Sequence, residues 1–350
     1  MQTSIIEDVI SRANRALLIV TLGGVLILLA GAALSSTYYY NFFSGPFAVD
    51  NQTLLSIDSV DGLREYFITV SGNDVFHSGY QLVETSESGL ETVKANYGLI
   101  VVDDRLLLVE TTADLEENLP TEFTGTLVAM PSDILAEVVT DLVRDYPDLK
   151  SAMLPYMLKT DDFYGVGIAG LVVGAIVLLA VIRGLVELRR RTNPQNHPVM
   201  RGLRTYGDPE MIASQINREL QMPLHTQGDV RFTQHWVVHQ KKTTLRAMPY
   251  RELTWSYKKI TQRRVNGIPA GKAYAALLWD RHGKSIEITG KENAVDTILS
   301  TLLTRAPWAI HGFSDELEKT WKRSREQFIA AVEERRTQVR QQRGEPQLTM

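Results

Sequence analysis

The chain of 350 residues contains no cysteine. That absence excludes disulfides, a thiol nucleophile, thiolate metal sites, iron–sulfur clusters and a lipid-anchored N-terminal cysteine. Any part of the chain outside a cell must fold without covalent staples. Basic residues are scarce between 37 and 163, where 6 Lys/Arg meet 22 Asp/Glu for a net charge of −16. Charge of either sign is missing altogether from 164 to 182. Tryptophan is missing from the first 235 residues, so Trp236, Trp255, Trp279, Trp308 and Trp321 all belong to the C-terminal part. Residues 183–350, by contrast, carry 29 Lys/Arg and 17 Asp/Glu, a net of +12. The overall −4 conceals two regions suited to different electrostatic surroundings.

Two long apolar runs are present. Ala16 to Leu34 is interrupted by one strongly polar residue, Thr21, and Gly165 to Ile182 carries no charge. Each is about as long as a helix that crosses a hydrocarbon core, and a helix satisfies its own backbone hydrogen bonds in lipid. We therefore expect spans over 16–36 and 164–183. Tyr38, Tyr39, Tyr40, Phe42 and Phe43 follow the first run, and Phe163 and Tyr164 precede the second; such rings favour the headgroup level. Arg12 and Arg15 precede the first run, and Arg183, Arg189, Arg190 and Arg191 follow the second. The positive-inside rule then places both termini in the cytoplasm and residues 37–163 outside the plasma membrane. A cleaved signal peptide is the rival reading, since Ala30-Gly31-Ala32 has the small-x-small form of a cleavage site. Glu7, Asp8 and the long apolar core stand against it.

The expected organisation is α+β: a cytoplasmic N-terminus (1–15), the first span (16–36), an acidic β-rich domain (37–163) and the second span (164–183). A linker and helix (184–227), a second β domain (228–304) and a C-terminal helix with its tail (305–350) follow. In the acidic domain Glu65–Ser71, Gly98–Val102, Leu106–Glu110 and Glu122–Met130 read as strands, with a tight turn at Asp103-Asp104-Arg105. A helix follows Pro131-Ser132, with Ile134, Leu135, Val138, Val139, Leu142 and Val143 as its apolar stripe. We expect a small barrel of the OB type.

Asp208-Pro209 should cap a helix carrying Met211, Ile212, Ile216 and Leu220. Period-two patterning then predicts one strand over Arg231–His239, one or two within Thr244–Lys259, and a hairpin at Asn266-Gly267 leading into Ala273–Trp279. Asp280-Arg281-His282-Gly283 turns into a further strand over Ser285–Thr289. Glu292–Thr304 reads as a helix, and Ser314 as the cap of one long final helix with Leu317, Trp321, Phe328 and Val332 on its apolar side.

The segments RFTQHWVVHQ, LRAMPYRELTWSYKK, AYAALLWDRHGKSIEIT and ENAVDTILSTLL, in that order, resemble a bacterial pleckstrin-homology-like domain over residues 228–304. The whole chain, including NHPVMRGLRTYGDPEMIASQINREL, resembles a family of two-span bacterial membrane proteins to which no activity attaches. The first resemblance implies binding to lipid headgroups or protein partners, or simple assembly; such a fold leaves function open.

Several motifs invite catalytic or cofactor readings. Gly165-x-Gly167-x-x-Gly170 has the dinucleotide spacing, but no strand precedes it and its helix has no polar face. Gly165, Ala169, Gly170 and Gly174 are instead expected to form a close-packing face, against the first span or a second copy. Gly283-Lys284-Ser285 lacks the earlier glycine of a phosphate loop, because position 278 is Leu. His235 and His239 lack the Glu of a zinc helix, and on one strand they would stand about 13 Å apart. His77, Ser78 and Asp103 have no nucleophile-elbow motif around them. The acidic residues lack a calcium-loop pattern. No catalytic, cofactor-binding or metal-binding residue is therefore assigned, and no nucleic-acid partner is expected.

Basic residues flank the Asn266-Gly267 hairpin: Lys258, Lys259, Arg263, Arg264 and Lys272. The pleckstrin resemblance makes them candidate contacts to lipid phosphates. The leading expectation is a non-enzymatic membrane scaffold or regulatory protein, whose partners are membrane lipids, other proteins or a second copy held through the spans. The alternatives are an anionic-lipid-binding module, an accessory subunit of a transporter or channel, and an extracytoplasmic enzyme.

Overall fold

A computed structural model describes residues 4–343 apart from 87, 88, 90, 114, 116–119, 266 and 267, with the side chains of 263–265, 268–270 and 343 also outside the description. The fold is mixed α+β with several sheets and two long apolar helices. The chain divides into two compact units, one running from Gly23 to Val181 and the other combining the chain up to Leu22 with Ile182 onward. The first long helix, α1 (Ile5–Leu34), starts well before the expected span. It is long and apolar enough to cross a membrane. The side chains of Ile19, Val20, Leu26, Ile27 and Leu29 stay exposed along it, which a soluble core helix would not show.

A break at Ser35 leads into α2 (Ser36–Ser44), and then α3 (Asn51–Leu55) is capped by Asp50, which accepts from the Thr53 amide at 2.8 Å. The acidic unit is one seven-stranded mixed sheet ordered β1-β2-β6-β7-β5-β4-β3. Its strands are β1 (Phe47–Ala48), β2 (Phe67–Ser71), β3 (Val75–Thr85), β4 (Glu91–Val102), β5 (Arg105–Thr111), β6 (Glu122–Ala129) and β7 (Met153–Lys159). This linear order of seven strands replaces the OB-like barrel expected from the sequence. Three of the strands, β1, β3 and β7, are not among those named from the sequence. The omission of β7 has a physical cause: Pro155 cannot donate to a ladder. It falls where the parallel β5–β7 register is interrupted between Leu106 and Leu108.

Both faces of this sheet are covered. One buries Ile68, Val70, Ile100, Leu107 and Val109 with Leu54 of α3; the other buries Tyr97, Leu99, Leu108 and Met157 under the helical segment after Pro131. Two-sided burial explains the uninterrupted apolar run Leu106–Val109 in β5. The covering segment comprises α4 (Ser132–Ile134), one wide turn at Leu135–Val139 and α5 (Thr140–Asp145). That π-type turn slips the expected stripe: Val138, Val139 and Leu142 are buried, but Leu135 faces outward. The short α6 (Leu149–Ala152) leads into β7.

The second long apolar helix is α7 (Phe163–Arg190), also long enough to cross a membrane, with Val166, Ile168, Val172, Val173, Ile176 and Leu179 exposed. After a 3₁₀ turn at Pro194–Asn196 the chain enters α8 (Pro198–Leu203) and α9 (Pro209–Leu220). Asp208 caps α9 by accepting from the Glu210 and Met211 amides. Ile212, Ile216 and Leu220 turn inward as expected, but Met211 is 74% exposed, one position beyond the buried arc.

A four-stranded antiparallel sheet follows, ordered β11-β10-β9-β8: β8 (His225–Gln227), β9 (Val230–Phe232), β10 (Trp236–Gln240) and β11 (Leu245–Pro249). The single strand expected over Arg231–His239 is thus two. Thr233 reverses the chain: its amide donates to the Trp236 carbonyl at 2.9 Å and its hydroxyl accepts from the Trp236 amide at 3.1 Å. No glycine or proline marks this turn. The second sheet is ordered β14-β13-β12-β15, with β12 (Leu253–Val265), β13 (Ile268–Asp280), β14 (Ser285–Gly290) and β15 (Ile310–His311). Val265 pairs with Ile268, as the predicted hairpin requires; Asn266 and Gly267 themselves lie outside the described residues.

Three cores stack through this unit. α8, α9 and the start of α1 cover one face of the first sheet at Trp236, Val238, Leu245 and Ala247. Its other face meets the second sheet across Phe232, Val237, Met248, Leu278 and Ile288, closed by Val295, Ile298 and Leu302 of α10 (Glu292–Arg305). The far face of the second sheet packs Trp255, Tyr257 and Leu277 against α11 (Asp315–Arg323) and α12 (Arg325–Arg343). The expected single final helix is therefore two, broken at Ser324, and Trp321 and Phe328 wedge into the core on either side of the break.

Candidate functional site

The feature that organises both units is the pair of long helices and the way each unit holds its own end. In the unit from 23 to 181, Asn41 is fully buried on α2. Its carbonyl oxygen accepts from the Tyr66 and Phe67 amides at 2.9 and 3.0 Å, and its amide donates to the Thr37 and Arg64 carbonyls at 2.8 and 2.7 Å. One side chain thus satisfies four backbone groups, three of them at the entry to β2 and one on α2 itself, each of which would be costly to leave unpaired. Phe163, the first residue of α7, stacks on Phe67 at 4.0 Å between centroids, and the Tyr38 hydroxyl donates to the Phe163 carbonyl at 2.5 Å.

The other unit holds its end with aliphatic side chains. Ile6 and Val9, in the first turns of α1, are 2% and 0% exposed and pack with Val199, Leu203, Ile212 and Ile216. Asn217 of α9 fixes the start of the helix: its carbonyl oxygen accepts from the Ile6 amide at 3.2 Å and its amide donates to the Ser4 hydroxyl at 2.6 Å. Thr21 is buried, its hydroxyl donating to the Leu17 carbonyl at 2.8 Å, and it faces Gly184 of α7. At the end of α7, Glu187 bonds Arg191 at 2.9 Å, with Arg190 and Arg201 nearby. His197 caps α8 by accepting from the Val199 amide through Nδ1 at 3.2 Å. Burial, reinforced by Arg191, holds its imidazole down at about 4. It is therefore a neutral cap whose Nε2 is buried without a partner.

The predicted packing face divides. A Cβ on Gly170 would meet the Tyr39 hydroxyl, and one on Gly167 would meet the Phe42 ring, so this side of α7 receives α2 within one chain. Gly174 has nothing within 4 Å, Gly165 sits against its own Asp162, and Ala169 is exposed. Gly24 against Val181 and Gly184 against Thr21, neither of them predicted, extend the close approach.

The predicted phosphate contacts also divide. Lys258 bonds Glu292 at 2.7 Å and Asp296 at 2.9 Å, and Lys259 bonds Glu287 at 3.1 Å. Lys272 is exposed. Arg263 and Arg264 pair with Gly271 and Pro269 through the backbone, while their side chains lie outside the described residues.

His235 is not on a strand with His239. It sits in the Thr233 turn, exposed, with Nδ1 2.8 Å from Glu219, whereas His239 is buried on β10. Burial pushes the Glu219 carboxyl up, but bonds from Thr233, His235 and Gln215 outweigh it and leave it below its ordinary value. Ser78 donates to the Tyr97 carbonyl at 2.5 Å, His77 Nδ1 accepts from the Gly79 amide at 3.3 Å and Asp103 accepts from Asn51 at 2.7 Å, so no bond joins these three. Among the described residues no group of three or more His, Asp or Glu is placed to hold a metal ion.

The anchors themselves were missed. Asn41 is the one polar residue in Tyr38–Phe43, and Ile5, Ile6, Val9, Ile10 and Ala13 have helical apolar spacing before the span begins. Both signals were present but overshadowed by the longer apolar run.

Residues 198–321 match a family described as a domain of unknown function (DUF6709). The matched stretch begins at the first residue of α8 and ends within α11. Comparison with curated proteins found no match, and comparison with solved structures found none either.

Proposed function

We propose that this chain is a non-enzymatic integral membrane protein of the plasma membrane that links a domain outside the cytoplasm to one inside it, as a scaffold or regulator. On this reading α1 and α7 are transmembrane, residues 37–163 are extracytoplasmic and both termini are cytoplasmic. The arginines at 12, 15, 183 and 189–191 support that orientation, and so does the division of charge. The burial of Ile6 and Val9 among α8 and α9 supports a first helix that is retained rather than cleaved, with its start on the same side as residues 198–321.

Two antiparallel sheets facing each other across one core, closed by α10, are what a pleckstrin-homology-like domain has, and we read residues 228–304 that way. Such a domain would meet protein partners, lipid or a second copy. The ion pairs of Lys258 and Lys259 favour protein contacts over headgroup capture by the hairpin.

The observation that carries the proposal is that α7 runs unbroken from Phe163, stacked on Phe67 in one unit, to Glu187, bonded to Arg191 in the other. The cysteine-free chain gives a clean background for testing the orientation. Ser59→Cys should react with a membrane-impermeant maleimide in intact cells and Ser300→Cys should not; the reverse pattern would overturn the topology. For linkage, hydrogen exchange of the full-length protein in nanodiscs should show Asn41→Leu accelerating exchange in α8 and α9 as well as in β2. Acceleration confined to residues 37–163 would leave a membrane anchor with two independent domains.

A further inference from the structure

Beside the β9–β10 turn lies a cavity of about 270 Å³ that none of the contacts described above occupies. Its apolar lining comes from Ile212, Trp236, Pro249 and Trp308. Its polar lining comes from Gln215, Gln234, His235, Arg251 and Arg305, and the hydroxyl of Tyr250, also on the wall, is already spent on the Thr233 carbonyl. No carboxylate is among these residues.

The lining is rich in donors and poor in acceptors. The indole Nε1–H groups of Trp236 and Trp308 are both buried and neither has an acceptor among the described residues. Trp236 is 3% exposed. An unpaired buried donor is unusual, and indole N–H normally finds a partner when buried. Arg305 forms no ion pair among the described residues, and Arg251 reaches only Glu252, at 3.5 Å. The carboxylate of Glu219, which meets the lining residues His235 and Gln215, is spent. Its Oε1 accepts from His235 Nδ1 at 2.8 Å and from Gln215 at 2.9 Å, and its Oε2 accepts from Thr233 at 2.6 Å and the His235 amide at 3.0 Å. The bond at Nδ1 leaves the other ring nitrogen of His235 without a partner.

We propose that this cavity binds a small organic carboxylate with a flat apolar body. The guanidinium of Arg305 would take the carboxylate, and the ring or short chain would lie on Trp236 and Pro249. An inorganic anion would leave the apolar wall of Trp236 and Pro249 uncovered. A drug-sized ligand needs ~300–1,000 Å³, so the ligand is the size of a single ring. The inference rests on the C-terminal unit alone and does not depend on the proposed topology.

The test uses ¹⁵N-tryptophan-labelled full-length protein in lipid nanodiscs, with benzoate as probe, benzamidine as the cation of the same shape and inorganic phosphate as the anion without an apolar body. The indole signals are assigned with Trp236→Phe and Trp308→Phe. Benzoate, through its ring current against the lining, should shift the Trp236 and Trp308 indole signals saturably, with a dissociation constant of about 1 mM, the scale a one-ring ligand reaches. Phosphate should bind about tenfold more weakly and benzamidine should give no shift. Arg305→Gln should weaken benzoate about tenfold, as loss of a charge-assisted bond does, leaving the other three indole signals in place. Arg251→Gln serves as the second variant if Arg305→Gln does not fold. Absence of a saturable shift, an equal response to benzamidine or phosphate, or benzoate affinity unchanged in the folded variant would each overturn the proposal.

Discussion

The two units hold the helix pair with different chemistry. The acidic unit uses a buried amide and stacked rings: Asn41 bonds four backbone groups, and Phe163 lies on Phe67 with an interplanar angle of 11°. The basic unit uses aliphatic burial, with Ile6 and Val9 inserted between α8 and α9 and a single amide, Asn217, at the helix start. Hydrogen bonds are directional and specify one geometry. Aliphatic packing supplies stability but tolerates adjustment. The acidic unit therefore sets how the helices leave it, and the basic unit supplies the larger apolar grip.

Four perturbations break or sharpen that contrast. The largest is Val9→Asp, which places a charge in a fully buried aliphatic site and should cost more than about 4 kcal/mol. All five tryptophans lie in the basic unit, so urea unfolding in detergent followed by their emission reports on that unit. It should lose its transition while the acidic unit, followed by hydrogen exchange in β5 and β7, keeps its protection. Equal loss in both would mean that the two grips are not separable.

Next is Asn41→Leu, similar in size but unable to bond, which should lower the stability of the acidic unit by about 3 kcal/mol. A loss below about 1 kcal/mol would show that polar anchoring is not what holds α2 to β2.

The third perturbation is pH. His197 is held at about 4 when folded, against an ordinary value of about 6.5. The unfolded chain takes up a proton that the folded one refuses, so the stabilisation is full above about pH 6.5 and declines as pH falls toward 4. Between pH 7 and pH 5 the basic unit should lose about 2 kcal/mol from this group. Burial also holds His239 and His311 below their ordinary value, which adds in the same direction. His197→Asn, which keeps a capping acceptor, should flatten part of the tryptophan-monitored profile. An unchanged slope would exclude His197 as its source.

The smallest effect concerns the glycines. Gly184→Ala puts a methyl 2.4 Å from the Thr21 hydroxyl oxygen and should cost about 1 kcal/mol, whereas Gly174→Ala meets nothing within 4 Å and should stay within about 0.5 kcal/mol. Melting temperatures in one detergent compare the two directly.

Much of this architecture was legible in the sequence. The two apolar helices, the Asp103 turn, the β12–β13 hairpin, the Asp208 and Ser314 caps and α10 follow from periodicity and turn chemistry that act locally. What escaped depended on distant partners. β7 reads as irregular because of Pro155, which is tolerated only where the neighbouring register breaks. The Thr233 turn is made by a hydroxyl without glycine or proline, and the break at Ser324 follows from Trp321 and Phe328 both turning into one core. Lys258 and Lys259 looked available because their carboxylates, Glu292, Asp296 and Glu287, lie 28 to 38 residues away in sequence. Asn41 and Asn217 carry no motif, since their role is defined by backbone groups that only the fold brings near.

The insertion of Ile6 and Val9 between α8 and α9 also fixes an order of events in biosynthesis. Ile212 and Ile216, which pack with these residues, emerge about 200 residues after them. At about 5–20 residues per second the first turns of α1 wait roughly 10 to 40 s for their seat. During that interval the nascent chain displays an uncovered apolar segment, the kind that chaperones engage. A fragment cut to residues 198–321 would inherit the complementary problem: Val199, Leu203, Ile212 and Ile216 would lose the cover of Ile6 and Val9.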